Sequence, residues 1–194
     1  MLKQQIFIYT EATPNPNSMK FVLNFELAPE SLSFDYTSLD EAIAGEKESP
    51  LAIELFGFDF VKRIFISSNF VTITKDEATQ WENVLFEMKQ FFKGYFEDKK
   101  PVFAENTMKS LEVTEGDSET VQKIKLVLND YIRPAVESDG GAINFHSFNE
   151  GVVTVLLQGS CSGCPSSTIT LKNGIENLLT RMVPEVKEVV AEGV

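Results

Sequence analysis

Asp139-Gly140-Gly141-Ala142-Ile143-Asn144-Phe145-His146-Ser147-Phe148-Asn149-Glu150-Gly151-Val152-Val153-Thr154-Val155-Leu156-Leu157-Gln158-Gly159-Ser160-Cys161-Ser162-Gly163-Cys164-Pro165 decides how this chain is read. Asp139 followed by two glycines predicts a turn, because glycine tolerates positive φ. Residues 142–148 and 152–157 are rich in β-branched and aromatic side chains. Asn149-Glu150-Gly151 separates them, so the two runs predict a β-hairpin. Pro165 favours the first position of a helix, which makes Cys164 the expected N-cap and puts Cys161 one turn outside. Leu171, Ile175, Leu178 and Met182 mark the apolar face of that helix. Pro184 ends it, and residues 185–191 predict a last strand.

Upstream of the hairpin, Ser118 is a plausible N-cap. Val121, Ile124, Leu128, Tyr131 and Ala135 recur at helical spacing, and Pro134 predicts an end or kink. The order helix, strand, strand, helix, strand makes residues 118–194 a small α+β unit. In the first half, residues 19–27, 60–67 and 69–74 read as strands, with a turn at Ser68-Asn69. Ser49-Pro50 is a helix start, and that helix is expected to stop near Gly57. A longer helix is expected after Asp76, with Trp81, Leu85, Met88, Phe92 and Tyr95 on one face. Most of the sixteen phenylalanines fall in this half, and they read as a Phe-rich core rather than an aromatic ligand platform. Residues 97–117 break both periodicities and are acidic. They read as a linker whose Pro101-Val102-Phe103 packs on one domain. The fold class is therefore α+β: two small mixed domains, residues 1–96 and 118–194, joined by the acidic linker 97–117.

The 194 residues carry a net charge of -12, with 43% hydrophobic and 24% charged residues. That composition is ordinary for a globular protein. None of the three segments is basic, so a nucleic-acid partner is not expected. No stretch has the length of a membrane span, and the N-terminus lacks the character of a signal or transit peptide. These features lead to the expectation of a cytoplasmic protein. In a reducing compartment two cysteines serve as metal ligands or redox groups rather than as a structural disulfide.

Cys161 and Cys164 are the only cysteines. A helix N-terminus favours thiolate over thiol, because its free N–H groups and dipole attract negative charge. Gly159 and Gly163 let backbone amides approach sulfur. Two thiolates are half of a four-thiolate site, and the simplest source of the other half is a second copy of the chain across a two-fold axis. By spacing alone an iron–sulfur cluster, a bridging zinc ion and a dithiol–disulfide redox pair stand level. Ser166, Ser167 and Thr168 fall in the first helical turn, where capping is their ordinary role. Asp139 reads as a turn residue and His146, the sole histidine, as a structural strand residue. No catalytic triad or phosphate loop is present, so the chain is not expected to be an enzyme.

The run from Gln158 through Cys161 and Cys164 to Leu171-Lys172-Asn173-Gly174-Ile175-Glu176 resembles the C-terminal NifU-like domain of Nfu-type iron–sulfur carriers. Arg133-Pro134, Asp139-Gly140-Gly141 and Pro184-Glu185-Val186 fit the same pattern. Thr10-Glu11-Ala12-Thr13-Pro14-Asn15-Pro16-Asn17-Ser18-Met19-Lys20-Phe21 is similar to the opening of the Nfu N-terminal domain, as are Ser49-Pro50-Leu51-Ala52 and Phe70-Val71-Thr72-Ile73-Thr74-Lys75. The resemblance implies that Cys161 and Cys164 hold a [4Fe–4S] cluster shared by two protomers. It also implies an upstream cluster donor and apo iron–sulfur proteins as clients. The N-terminal domain has no ligand set and is read as a docking domain.

Overall fold

The computed structural model describes residues 5–29, 32–45, 47–105, 107, 118–160 and 165–193, with 165–170 and 193 described by their backbone. Two compact units are present, one of residues 1–12 and 16–112, the other of residues 13–15 and 113–194.

The first unit contains β1 (Ile8–Ala12), β2 (Ser18–Leu23), β3 (Ser33–Tyr36), α1 (Leu39–Ile43), α2 (Pro50–Leu55), β4 (Val61–Ser67), β5 (Phe70–Lys75) and α3 (Trp81–Glu97). Its five strands form one antiparallel sheet in the order β1-β2-β5-β4-β3. The register aligns Phe21, Val71, Ile66 and Phe34 in one row across four strands. Period-two alternation puts that row on a single face, where it belongs to the core shared with α2 and α3. Phe92 of α3 lies 5.2 Å from the Phe21 ring and Trp81 lies 6.2 Å from it. The Phe-rich core expected from composition is present.

Local chemistry explains the short elements. Ser49 Oγ accepts from the Ala52 N–H at 3.2 Å and donates to the Val102 carbonyl at 2.6 Å, capping α2 and pinning the following chain. Pro101-Val102-Phe103 packs on the first unit as expected. The Phe103 ring lies 4.2 Å from Phe34, and the Tyr95 hydroxyl donates to the Pro101 carbonyl. Burial raises the Tyr36 hydroxyl pKa well above its ordinary value, so the proton it donates to the Lys47 carbonyl stays in place. The helix expected after Asp76 begins at Trp81, because the Asp76 carboxylate accepts from the Thr79 N–H and holds a turn before it. That bonding to Thr79 also lowers the Asp76 pKa below its ordinary value. The strand expected over 19–27 ends at Leu23, where the chain wraps the Ser68-Asn69 turn through Leu27 and Ala28 amides bonded to the Ser68 carbonyl.

A buried ion pair joins β3 to β4. Arg63 donates Nε to Asp35 Oδ1 at 2.7 Å and a terminal nitrogen to Oδ2 at 2.6 Å, and the Asp35 side chain is 3% exposed. Removing one member of such a pair leaves a charge in a poor environment. Arg63→Ala is expected to cost about 3 kcal/mol. Arg63→Lys should recover only part, because an ammonium lacks the planar fork. Urea denaturation of the three proteins checks this.

The second unit contains α4 (Glu119–Val127), a π-helical turn (Leu128–Ile132), α5 (Arg133–Ser138), β6 (Gly141–Asn149), β7 (Val152–Gly159), α6 (Pro165–Met182) and β8 (Glu188–Gly193). Its sheet runs β6-β7-β8, antiparallel in the hairpin and parallel between β7 and β8. Ile124, Leu128, Ile132 and Val136 join Val153, Val155, Leu157, Ile175, Leu179 and Val189 in its core. The expected helical face is corrected here. Tyr131 is 58% exposed and Ala135 also points outward, while Ile132 and Val136 are buried. Pro134 has no N–H for the carbonyl four residues back, and its ring crowds that carbonyl. The helix widens before it, with the Arg133 N–H reaching the Leu128 carbonyl five residues back. The extra residue in that turn moves the buried face from 131 and 135 to 132 and 136. The hairpin closes through Glu150 and Gly151, both at positive φ. The last strand begins at Glu188 rather than 185, because the Lys187 amide turns to the Gly151 carbonyl at 2.7 Å.

Candidate metal centre

Cys161 and Cys164 lie outside the described residues, as do Ser162 and Gly163. The residues on either side define the frame that carries them. α6 opens at Pro165, the position read from sequence as its first turn, and runs for 18 residues. A helix of that length presents its positive dipole end and unpaired N–H groups to the segment before it. On the other side the chain arrives along β7, whose final residue Gly159 pairs with Gly141 at the start of β6.

The two glycine-containing motifs therefore meet. The turn after α5 carries Gly140 at φ 78°, and β7 ends with Gly159 at φ 69°; side chains at both positions would be strained. Ser160, 3% exposed, sits between them. Its hydroxyl donates to the Asp139 carbonyl and its amide donates to the Gly140 carbonyl at 3.4 Å. Beside this junction the side-chain amide of Asn144 donates to Gln158 Oε1 at 2.8 Å across the hairpin. The far part of α6 is fixed as well: Glu176 Oε2 accepts from the Val189 amide of β8 at 3.0 Å.

Asp139 enters the site by its backbone. It ends α5, its amide bonds to Ala135, and its carbonyl is the acceptor for Ser160. His146 is exposed in a β-bulge of β6, between Phe145 and Ser147, which pair with Val155 and Thr154. The side chains of Ser166, Ser167 and Thr168 lie outside the description. Among the described residues no three His, Cys, Asp or Glu side chains converge as a metal set. Ser160 went unmarked in the sequence reading. Its signal was only its place, next to Cys161 and opposite the Asp139-Gly140 turn.

A helix, a β-hairpin, a long helix and a last strand define the class: a small α+β domain in whose sequence both cysteines fall between the hairpin and the long helix. Residues 124–190 match the family described as NifU-like domain, and residues 8–99 match that described as Scaffold protein Nfu/NifU N terminal. The chain belongs to the Nfu family, with both of its domains in order. It is 41% identical over 190 residues to the mitochondrial NFU1 iron-sulfur cluster scaffold homolog of Drosophila willistoni, covering 97% of this chain and 64% of that protein. The Drosophila persimilis homolog is 40% identical over 188 residues, covering 96% of this chain and 65% of that protein. The chain thus spans somewhat less than two thirds of each relative. A solution structure of a NifU-like protein from Saccharomyces cerevisiae matches 54% of this chain and 91% of that one, at 26% identity and a TM-score of 0.46.

Proposed function

We propose that this protein is an iron–sulfur cluster carrier that holds one [4Fe–4S] cluster between two copies of itself and passes it to apo-protein clients. The cluster is cargo, received from an upstream donor, and not a resident cofactor. The observation that carries the reading is that the chain's only two cysteines fall within the four residues of sequence between Ser160, held at the end of the hairpin, and Pro165, the start of α6. Membership of a scaffold family supports it, as do the printed names of the Drosophila relatives.

The ligand count explains both holding and release. A cluster needs four protein ligands, and each copy supplies Cys161 and Cys164. The helix dipole of α6 stabilises the thiolate form that binds iron. When a client arrives, an iron–sulfur bond to a carrier cysteine breaks as one to a client cysteine forms. The client thiol's proton ends on the released carrier thiolate, so each exchange is balanced in charge and atoms. Parting of the two copies removes half of the ligands at once, so handover needs no covalent catalyst.

Such chemistry suits a reducing compartment, and the cytoplasm is the proposed one. Among the described residues no helix is long and apolar enough to cross a membrane. The direct test is anaerobic incubation of loaded protein with an apo-client whose activity depends on its cluster. Client activation that tracks loss of the carrier's visible absorption supports the reading. Reversible thiol–disulfide exchange without metal, or a colourless zinc dimer, would replace it.

A further inference from the structure

We propose that the exposed face of α6 is where two copies of this chain meet, and that they meet there only while a cluster is shared between them. This rests on the carrier reading above and names the surface which that reading leaves open. Asn173, Gly174, Asn177 and Arg181 recur at three- and four-residue steps on one side of α6, and all four are exposed. Gly174 stands inside an 18-residue helix, where glycine is the least favourable residue after proline. A Cβ built there meets no atom within 4 Å among the described residues, and its φ is not positive, so neither space nor backbone conformation calls for a glycine. A missing side chain does let the backbone of a second helix come close. The chain carries a net charge of -12, so two copies repel one another over much of their surface. This face is free of that charge. Glu176 is the only acidic residue of α6, and its carboxylate is turned to the Val189 amide of β8. Asn177 suits a two-fold axis, because an amide both donates and accepts and so pairs with its own copy.

A shared cluster sets the direction of the pair. Cys164 directly precedes Pro165, the first residue of α6, in the sequence, so sharing requires the two helix starts to be near each other. Gly174 lies nine residues beyond that start, about 13 Å along the axis. An antiparallel pair crossing at Gly174 would hold the two starts about 27 Å apart. A parallel pair keeps them about 8–10 Å apart, the usual spacing of packed helices. It also aims both positive dipole ends at a cargo made anionic by four thiolates. Met182, 43% exposed, is the one large apolar side chain well exposed among those described on α6. Arg181, about two turns beyond Gly174, meets its own like-charged copy. The face therefore buries little apolar surface, and the pair holds only when shared ligands add to it. The same weakness lets the copies part once the cargo is handed on.

The test compares three single variants of the full-length chain with the wild type. Each is followed by urea unfolding without cluster, and by loss of visible absorption to a chelator after loading. Gly174→Ala is expected to raise the unfolding midpoint, because alanine favours helix. It is also expected to lose cluster roughly tenfold faster, the effect of one methyl group forced into a packed contact. Gly94→Ala is the control. It lies on the exposed side of α3, where a Cβ also meets open space, and should raise the midpoint while leaving release unchanged. Asn177→Asp keeps the shape and sets two carboxylates across the axis. Its release should quicken at low salt and slow again as salt screens the pair. Release at the wild-type rate by either Gly174→Ala or Asn177→Asp would overturn the inference. So would a cluster-free wild-type chain that sediments as a dimer. Failure of the wild-type chain to take up a cluster would overturn the carrier reading instead, so the two failures are distinguishable.

Discussion

The double variant Cys161→Ser, Cys164→Ser will take up no cluster and activate no client, while its circular dichroism and unfolding midpoint stay those of the wild type. These are the chain's only cysteines, so no other thiolate can stand in. Serine keeps the size and a hydroxyl but is not the thiolate ligand that iron–sulfur clusters take. Loss of supporting groups around a metal site costs roughly 10–100-fold in affinity. Loss of the ligands themselves should exceed that and reach background. Single variants should fail as well, because each removes two of the four ligands from a symmetric pair. A double variant that still loads and delivers a cluster would remove Cys161 and Cys164 from the site.

Phe92→Ala will lower the stability of the first unit by about 3–5 kcal/mol. Phe92 is fully buried. Its ring lies 5.2 Å from Phe21, 5.7 Å from Phe91 and 6.4 Å from Phe96, which it stacks upon. Truncation loses the transfer energy of the ring and leaves a cavity that neighbouring rings fill poorly. Domains are stable by only about 5–15 kcal/mol, so the loss is a large fraction of the total. Trp81 is the sole tryptophan and lies in the same core, so its fluorescence reports the transition during urea unfolding. A midpoint unchanged from wild type would mean that this ring does not hold the sheet to α3.

The elements with strong periodicity were legible in the sequence. β4, β5, α2, the β6–β7 hairpin and the start of α6 stand, to within a residue or so, where Phe60–Ser67, Asn69–Thr74, Ser49-Pro50, Asn149-Glu150-Gly151 and Pro165 put them. β1, β3 and α1 were not seen. Each is four or five residues long, and β1 and β3 gain definition only from pairing with β2 and β4. The phase of the buried face beyond Leu128 was missed for a different reason. A single inserted residue in a π-helical turn changes which side chains face inward, and periodicity alone does not register it. The two cysteines stand out in the sequence by residue type and spacing, and they lie outside the described residues. The bonds from Ser160 to the Asp139 and Gly140 carbonyls were not legible, because they depend on that turn and Ser160 meeting at one end of a hairpin. Only the register Gly141↔Gly159 brings them together.

Native mass spectrometry of the full chain, after anaerobic incubation with iron and sulfide, tests the central claim most directly. The account predicts a dimer heavier than two chains by one Fe₄S₄ unit, and a metal-free species for the double cysteine variant. A cluster held on a single chain, a metal-free monomer, or a dimer bridged only by zinc would contradict it.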